Sequence, residues 1–255
     1  MPYRRLPHRQ QIIAACCPIF CPFFTFVPSI NNLHTSMKPA TLDFLRLLKE
    51  NNNREWFQAN KSLYEAAKAD VTALVASVIE KVAAFDDSIG HLQAKDCLFR
   101  IYRDVRFSPD KSPYKTNMGA YFTGGGKHSL QCGYYLHIEP GNQCFAGGGC
   151  YLPPAPQLKM IRQEIDYHTP EFLAILQNPD FAATFGQLED MKLKTAPKGY
   201  AKDHPHVHLL QYTSYVASHN FTDVQMCEHD IAQKLANTFK TLKPLNDFLN
   251  RAMGF

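Results

Sequence analysis

Residues 131–152 have the sequence QCGYYLHIEPGNQCFAGGGCYL, and this stretch decides the fold class. Gln131 to Glu139 and Gln143 to Leu152 are rich in aromatic and other apolar residues, and a Pro-Gly-Asn turn separates them. This pattern is typical of two consecutive antiparallel strands. Three further segments are predicted as strands on similar grounds: Cys97 to Phe107, Met118 to Phe122 and Gln211 to Ser218.

Helical patterns flank this central region on both sides. The predicted helix starts are Thr41, Asn53, Pro153 to Pro156, Thr169 with Pro170, and Asn178 with Pro179. The helix after Asn53 is predicted to run unbroken to about Phe85. Thr222 and Gln225 form a capping box for the last helix, which Pro244 is expected to interrupt. The sequence therefore predicts an α+β fold, a central antiparallel sheet with helices from both ends of the chain packed on it.

The charge of the chain is unevenly distributed. Its 255 residues carry a formal net charge of +4, of which Arg4, Arg5 and Arg9 supply three charges in a segment without acids. The remainder is therefore nearly neutral. Overall charge gives no argument for nucleic-acid binding, which usually shows as a basic surface.

Residues 1–36 differ in character from the rest. Ile12 to Ile30 contains no charged residue and follows a basic stretch, as in an export signal or a membrane anchor. Pro18, Pro22 and Pro28 argue against a membrane-spanning helix, so no membrane association is expected. Our interpretation is that residues 1–36 are a non-native or disordered extension, that translation starts at Met37, and that residues 37–255 form a single domain. An export signal is the alternative.

The cysteines indicate the compartment. Five of the eight lie after residue 37, and none has the spacing of a zinc site. They are Cys97, Cys132, Cys144, Cys150 and Cys227. Free thiols of this kind are typical of a reducing compartment, so we expect a cytoplasmic protein.

The segment Arg100 to Tyr114, RIYRDVRFSPDKSPY, carries the densest cluster of charge. As a strand it would place Arg103 on one face with Phe99, Ile101, Val105 and Phe107. A guanidinium on such an apolar face requires a partner, and Glu139 on a neighbouring strand is a candidate. Arg103 is therefore predicted to be structural.

The remaining basic residues of this segment are candidates for ligand binding. Arg100, Arg106, Lys111 and Tyr114 would surround Asp104, which could orient the guanidinium groups. Guanidinium groups suit phosphate and carboxylate, so the segment predicts an anion site for a phosphate-bearing small molecule or a nucleic-acid backbone. The alternative is an internal salt-bridge network that only holds the fold.

Two residues of the predicted central strand could transfer protons. His137 and Glu139 share a strand face, and with Asp104 they are the catalytic candidates. With His204 as a third ligand they could instead bind a metal ion and form a hydrolase site. A non-catalytic binding or structural module is the third possibility. No dinucleotide fingerprint or nucleophile elbow is present in the sequence, and no cofactor or oligomeric state is predicted.

The Arg100 to Tyr114 segment resembles a signature of a bacterial family of uncharacterised proteins, domain of unknown function 2461. The segments Asn51 to Phe57 and Tyr134 to Gly141 are also similar to segments of this family, as is the Asp203-His204 dipeptide before proline. The resemblance extends from Met37 to the C-terminus and leaves out residues 1–36. It implies no catalytic role for any residue.

Overall fold

Four antiparallel strands form one sheet in residues 36–255, the part of the chain that this computed structural model describes. They are β1 (Met118–Phe122), β2 (Gly133–Ile138), β3 (Cys144–Cys150) and β4 (Tyr215–Phe221), and their order in the sheet follows the chain. In one row across the sheet, Tyr121 pairs with Tyr135, Tyr135 with Gly147, and Gly147 with Ser218. The predicted α+β fold with a central antiparallel sheet is confirmed.

Between residue 36 and the sheet there are four helices. They are α1 (Pro39–Glu50), α2 (Arg54–Ala59), α3 (Lys61–Ala83) and α4 (Ala94–Cys97). Asn53 caps α2 as predicted, since its side chain accepts a hydrogen bond from the Trp56 N–H. Thr41 is not a cap, because α1 begins at Pro39 and the Thr41 hydroxyl donates to Asp70 at 2.6 Å.

The prediction of one unbroken helix after Asn53 is wrong, because Asn60 interrupts the helix and separates α2 from α3. The Asn60 side chain donates to the Trp56 carbonyl at 2.9 Å, and its backbone leaves the helical conformation. Asparagine side chains compete with helical hydrogen bonds in this way.

Six helices follow β3. They are α5 (Ala155–Tyr167), α6 (Thr169–Leu176), α7 (Pro179–Phe185), α8 (Val207–Leu210), α9 (Asp223–Met226) and α10 (Ile231–Ala252). Asn178 caps α7 as predicted, whereas the Thr169 hydroxyl donates to the Ile165 carbonyl and caps nothing. The capping box of Thr222 and Gln225 exists, but it belongs to the short helix α9 and not to the last helix.

Pro244 does not interrupt the last helix, contrary to the prediction. Helix α10 continues through it to Ala252. Leu242 and Leu245 on either side of the proline are fully buried. Because α10 packs along its length against β3 and α3, this burial offsets the hydrogen bond that a proline removes.

Helix α10 covers one face of the sheet. Phe239 packs against Phe122 and Tyr134 from that helix, at ring-centroid distances of 5.7 and 5.0 Å. Side chains alternate along a strand, so Tyr121 and Tyr135 project from the opposite face. That second face carries the candidate site.

The predicted strand from Cys97 to Phe107 is wrong. Only single bridges form there, from Leu98 to Ala120 and from Tyr102 to Tyr114. Of the apolar face that would have enclosed Arg103, Ile101 is buried, while Phe107 is 95% exposed. The chain instead forms a loop, which the Arg103 N–H closes by donating to the Pro113 carbonyl at 3.0 Å.

Residues 36–255 belong to one compact unit. No helix within this range is both long and apolar enough to span a bilayer. The interpretation of residues 1–36 falls outside the described residues, apart from Ser36.

Candidate functional site

A cavity of about 890 Å³ opens on the sheet face opposite α10. Its floor includes Gly147 and Gly149 of β3, and the start of α5 contributes Pro154 and Gln157 to its wall. This volume is in the range of pockets that bind small organic ligands.

The glycines of β3 are required by close backbone contacts. A Cβ at Gly147 would lie 2.3 Å from the Ala217 carbonyl oxygen, and one at Gly149 would lie 2.1 Å from that of Tyr215. Gly149 also has φ +108°, which side-chain-bearing residues rarely adopt. The floor of the cavity is therefore bare backbone, which leaves the space above it open.

One wall of the cavity is aromatic. The Tyr135 ring lies between Phe99 and Phe145, at centroid distances of 6.3 and 5.6 Å. Aromatic rings of this kind favour a ligand with a flat or apolar part.

Two half-buried lysines supply positive charge to the cavity. The Lys115 ammonium lies 5.4 Å from the Phe99 ring centroid, and the Lys127 ammonium donates to the Leu98 carbonyl at 3.1 Å. Burial lowers the pKa of Lys115, and the nearby charge of Arg100 lowers it further. Within residues 36–255, neither lysine pairs with a carboxylate, whereas the charge of Arg100 also lowers the pKa of Asp104.

The cavity also contains hydrogen-bond acceptors, whose requirements differ from those of the lysines. Glu189 accepts a hydrogen bond from the Ser218 hydroxyl at one side. The Gln157 Oε1 atom is buried and has no hydrogen-bond partner among the described residues. An unpaired buried carbonyl oxygen favours a ligand or a water molecule that donates to it.

A hydrogen-bonded chain of three side chains adjoins this wall. The Tyr135 hydroxyl lies 3.1 Å from His137 Nδ1, and His137 Nε2 lies 3.0 Å from Glu139 Oε2. Thr116 donates to the other carboxylate oxygen of Glu139 at 3.3 Å. The two catalytic candidates on β2 and just after it are thus in direct contact.

Asp104, Arg106 and Lys111 lie together on the loop, outside the cavity. Arg106 donates through Nε and Nη2 to Asp104, at 2.9 and 2.6 Å, and this pairing lowers the Asp104 pKa to about 2. The Lys111 ammonium donates to the Val105 carbonyl at 3.0 Å. These contacts are internal to the loop.

Arg103 closes the loop on itself, and Tyr114 holds the loop to the body. The Arg103 guanidinium pairs with Asp110 and not with Glu139, because the chain turns back at this point instead of continuing as a strand. Tyr114 is a core residue, 2% exposed, and its ring stacks on Phe57 at 4.0 Å. Its ring therefore cannot contact a ligand at the surface of the loop.

The three predicted metal ligands do not converge. His204 Nε2 bonds to Asp166 at 2.9 Å, while His137 bonds to Glu139. Among residues 36–255 no group of three histidine, cysteine or acidic side chains could hold a metal ion. The Asp166 partner thus replaces the predicted metal as the explanation for His204.

A family model of conserved hypothetical proteins, DUF2461, matches residues 40–248. The chain belongs to the DUF2461 family. This match confirms the resemblance found in the sequence. No curated protein and no solved structure matches this DUF2461 protein.

Sequence reasoning did not single out Tyr135, Lys127 or Gln157 as site residues of this DUF2461 protein. A signal for Tyr135 was present, since Tyr135, His137 and Glu139 alternate along one strand and so share a face. Lys127 and Gln157 are brought to the cavity by a hairpin loop and by the start of α5. No local sequence pattern indicates either contact.

Proposed function

We propose that this DUF2461 protein binds a phosphate-bearing small molecule in the cavity above β3. Lys115 and Lys127 neutralise the phosphate, and the aromatic wall holds the apolar part of the ligand. The observation that carries this proposal is the pair of half-buried lysines, which line one cavity and have no carboxylate partner in residues 36–255. Buried charge is normally paired, so these lysines favour an external anion.

The proposed anion site therefore uses residues that follow the segment predicted from the sequence. Lys115 directly follows the predicted segment and lines the cavity. Arg100, the first residue of that segment, is close enough to Lys115 and Asp104 to lower the pKa of both. Arg106 is paired with Asp104 within the loop, which favours the internal-network interpretation for that part, and Lys111 lies outside the cavity. The concave shape of the site favours a small molecule over a nucleic-acid backbone.

Thermal denaturation with a ligand panel tests the proposal. We expect phenyl phosphate to raise the Tm, inorganic phosphate to raise it less, and phenol to have little effect. Lys115→Met and Lys127→Met should each abolish the stabilisation by phenyl phosphate. Lys111→Met is the matched control, because its ammonium bonds to a loop carbonyl outside the cavity, and it should keep the stabilisation.

The salt dependence gives a second readout. Stabilisation by phenyl phosphate should decrease as ionic strength rises, because the attraction is between charges that solvent partly reaches. The proposal is overturned if neither phosphate compound raises the Tm, or if Lys111→Met removes the effect as fully as the cavity variants.

A further inference from the structure

We propose that Tyr135 is a catalytic residue of this cavity, and that His137 and Glu139 position and activate it as a proton relay. The inference rests on the proposed function in one respect, since it takes the cavity as the substrate site. It adds a reaction class, which is proton transfer to and from a phosphate-bearing substrate.

The hydrogen-bond chain fixes the direction of the relay. A carboxylate only accepts hydrogen bonds, so the contact of 3.0 Å to Glu139 places a proton on His137 Nε2. The Nδ1 atom is then an acceptor, and the Tyr135 hydroxyl at 3.1 Å donates to it. The same order of carboxylate, imidazole and hydroxyl activates nucleophiles in other enzymes.

The imidazole of the relay is rigidly held. Its ring stacks on Phe145 at a centroid distance of 4.7 Å, with the planes 14° apart. The side chains of His137 and Glu139 are only 14% and 17% exposed. Gly119 on β1 leaves room for the phenol, since a Cβ there would lie 2.7 Å from the Tyr135 hydroxyl oxygen. A fixed orientation of this kind lowers the cost of reaching the reactive geometry.

Tyr135 differs from the other tyrosines of the cavity. The Tyr121 hydroxyl donates to the Gln131 carbonyl, which cannot take up a proton. Tyr151 is 68% exposed and makes no hydrogen bond in the described part of the chain. Burial raises the pKa of Tyr135, so the phenol stays protonated until a base removes its proton. His137 is the base within hydrogen-bond distance.

The proton movements balance in both directions. The Tyr135 oxygen takes a proton from the substrate while its own proton moves to His137 Nδ1, and Glu139 neutralises the imidazolium. The substrate becomes an anion, and Lys115, which lines the same cavity, stabilises it. The reverse movement returns the proton. The matching substrate carries a phosphate group and releases a proton from a hydroxyl, or from a carbon beside a carbonyl.

Benzenesulfonyl fluoride tests the relay without knowledge of the substrate. The Tyr135 oxygen would form a bond to sulfur, the sulfur–fluorine bond would break, and the phenol proton would pass to His137. Labelling is followed by peptide mass spectrometry in the full chain. We expect Tyr135 to be labelled at least tenfold faster than Tyr151, although Tyr151 is the more exposed of the two.

Variants of the relay separate activation from accessibility. His137→Gln can make both hydrogen bonds but cannot take up the proton, so Tyr135 labelling should fall at least tenfold. Glu139→Gln should reduce it by a smaller factor, because the imidazolium then lacks its counter-charge. In His137→Ala, added imidazole can stack on Phe145 and should restore labelling. A merely structural role for His137 predicts no such rescue.

The outcomes distinguish this inference from the proposed function. If Tyr135 is labelled no faster than Tyr151, or if His137→Gln leaves the rate unchanged, the relay is overturned even when phenyl phosphate still raises the Tm. If labelling behaves as expected but no phosphate compound binds, the relay stands, whereas the anion proposal and the phosphate group assigned to the substrate fall. Thermal melts of each variant confirm that it is folded.

Discussion

Arg103 and Arg106 are three positions apart, yet their surroundings give them different roles. Arg103 is 26% exposed and contacts Asp110, the Ser112 carbonyl and the Ser108 hydroxyl. Arg106 is 76% exposed, pairs with Asp104, and otherwise lies only against the neighbouring Phe107 ring, 6.0 Å from its centroid, within the described residues. The first arginine therefore links both sides of the loop, whereas the second forms a local surface pair.

Replacement of Arg103 by alanine should lower the free energy of unfolding by about 1 kcal/mol, because several hydrogen bonds to a partly exposed guanidinium are lost. A buried charge pair would have cost about 3–5 kcal/mol, but the Asp110 carboxylate is mostly exposed. Arg106→Ala is the matched control and should leave the denaturant midpoint unchanged. Equal effects of the two variants in urea melts would contradict the assignment.

At the level of the strands, Gly149 tests how closely β3 and β4 must approach. Gly149→Ala would combine a positive φ with a Cβ only 2.1 Å from the Tyr215 carbonyl oxygen. Gly126→Ala has the same kind of backbone, φ +77°, but no atom within 4 Å of the added Cβ. It should cost about 1–2 kcal/mol from the backbone alone.

Gly149→Ala should therefore cost clearly more than Gly126→Ala in the same urea melts, because β3 must also move away from β4. Gly90→Ala provides the baseline, since its added Cβ meets Ala83 at an ordinary distance of 3.4 Å. Equal costs for Gly149→Ala and Gly126→Ala would mean that β3 relaxes freely, and that the cavity floor is not fixed by backbone contacts.

The sequence predicted those elements that follow local rules. The cap at Asn53, the cap at Asn178 and strands β1 to β3 each depend on residues close together in the chain. The strand prediction for Cys97 to Phe107 was wrong because an alternating apolar pattern is also compatible with a loop whose ends are held by side-chain contacts. The alternating pattern gives no indication that Arg103 pairs with Asp110.

The candidate site was less predictable because its residues come together only through the pairing register of the strands. Tyr135 and Gly147 meet only through the pairing of β2 with β3, and Gln157 arrives from α5. His137 and Glu139 could be found because both lie on a single strand face.

At the scale of the whole molecule, charge is nearly balanced after the basic N-terminal segment, so unpaired charge inside a cavity is informative. Arg103, Arg106 and Arg251 are all paired with carboxylates. Lys115 and Lys127 are not paired within residues 36–255. This contrast supports the proposal of an anion in the cavity.

Anion binding should depend on pH through the ammonium group of Lys115. Burial and the charge of Arg100 lower the pKa of Lys115 in the free protein, whereas a bound phosphate favours the ammonium form. Phosphate binding should therefore be complete below this lowered pKa and be lost as the pH rises through it. Between this pKa and the ordinary lysine value, binding must be coupled to proton uptake. Titration calorimetry of phenyl phosphate in two buffers of different ionisation enthalpy measures that uptake directly.

Two variants make this prediction specific to Lys115. Lys115→Arg stays charged throughout the range, so it should bind phenyl phosphate without proton uptake. Arg100→Gln removes the neighbouring positive charge, so the loss of binding should move to higher pH. In the absence of ligand, the pH dependence of folding stability has the opposite sign to that of anion binding. The unfolded chain holds the Lys115 proton more tightly, so the free energy of unfolding should rise with pH across this window, relative to Lys115→Arg. Binding that stays constant across this alkaline window in the wild type would show that Lys115 does not contact the anion.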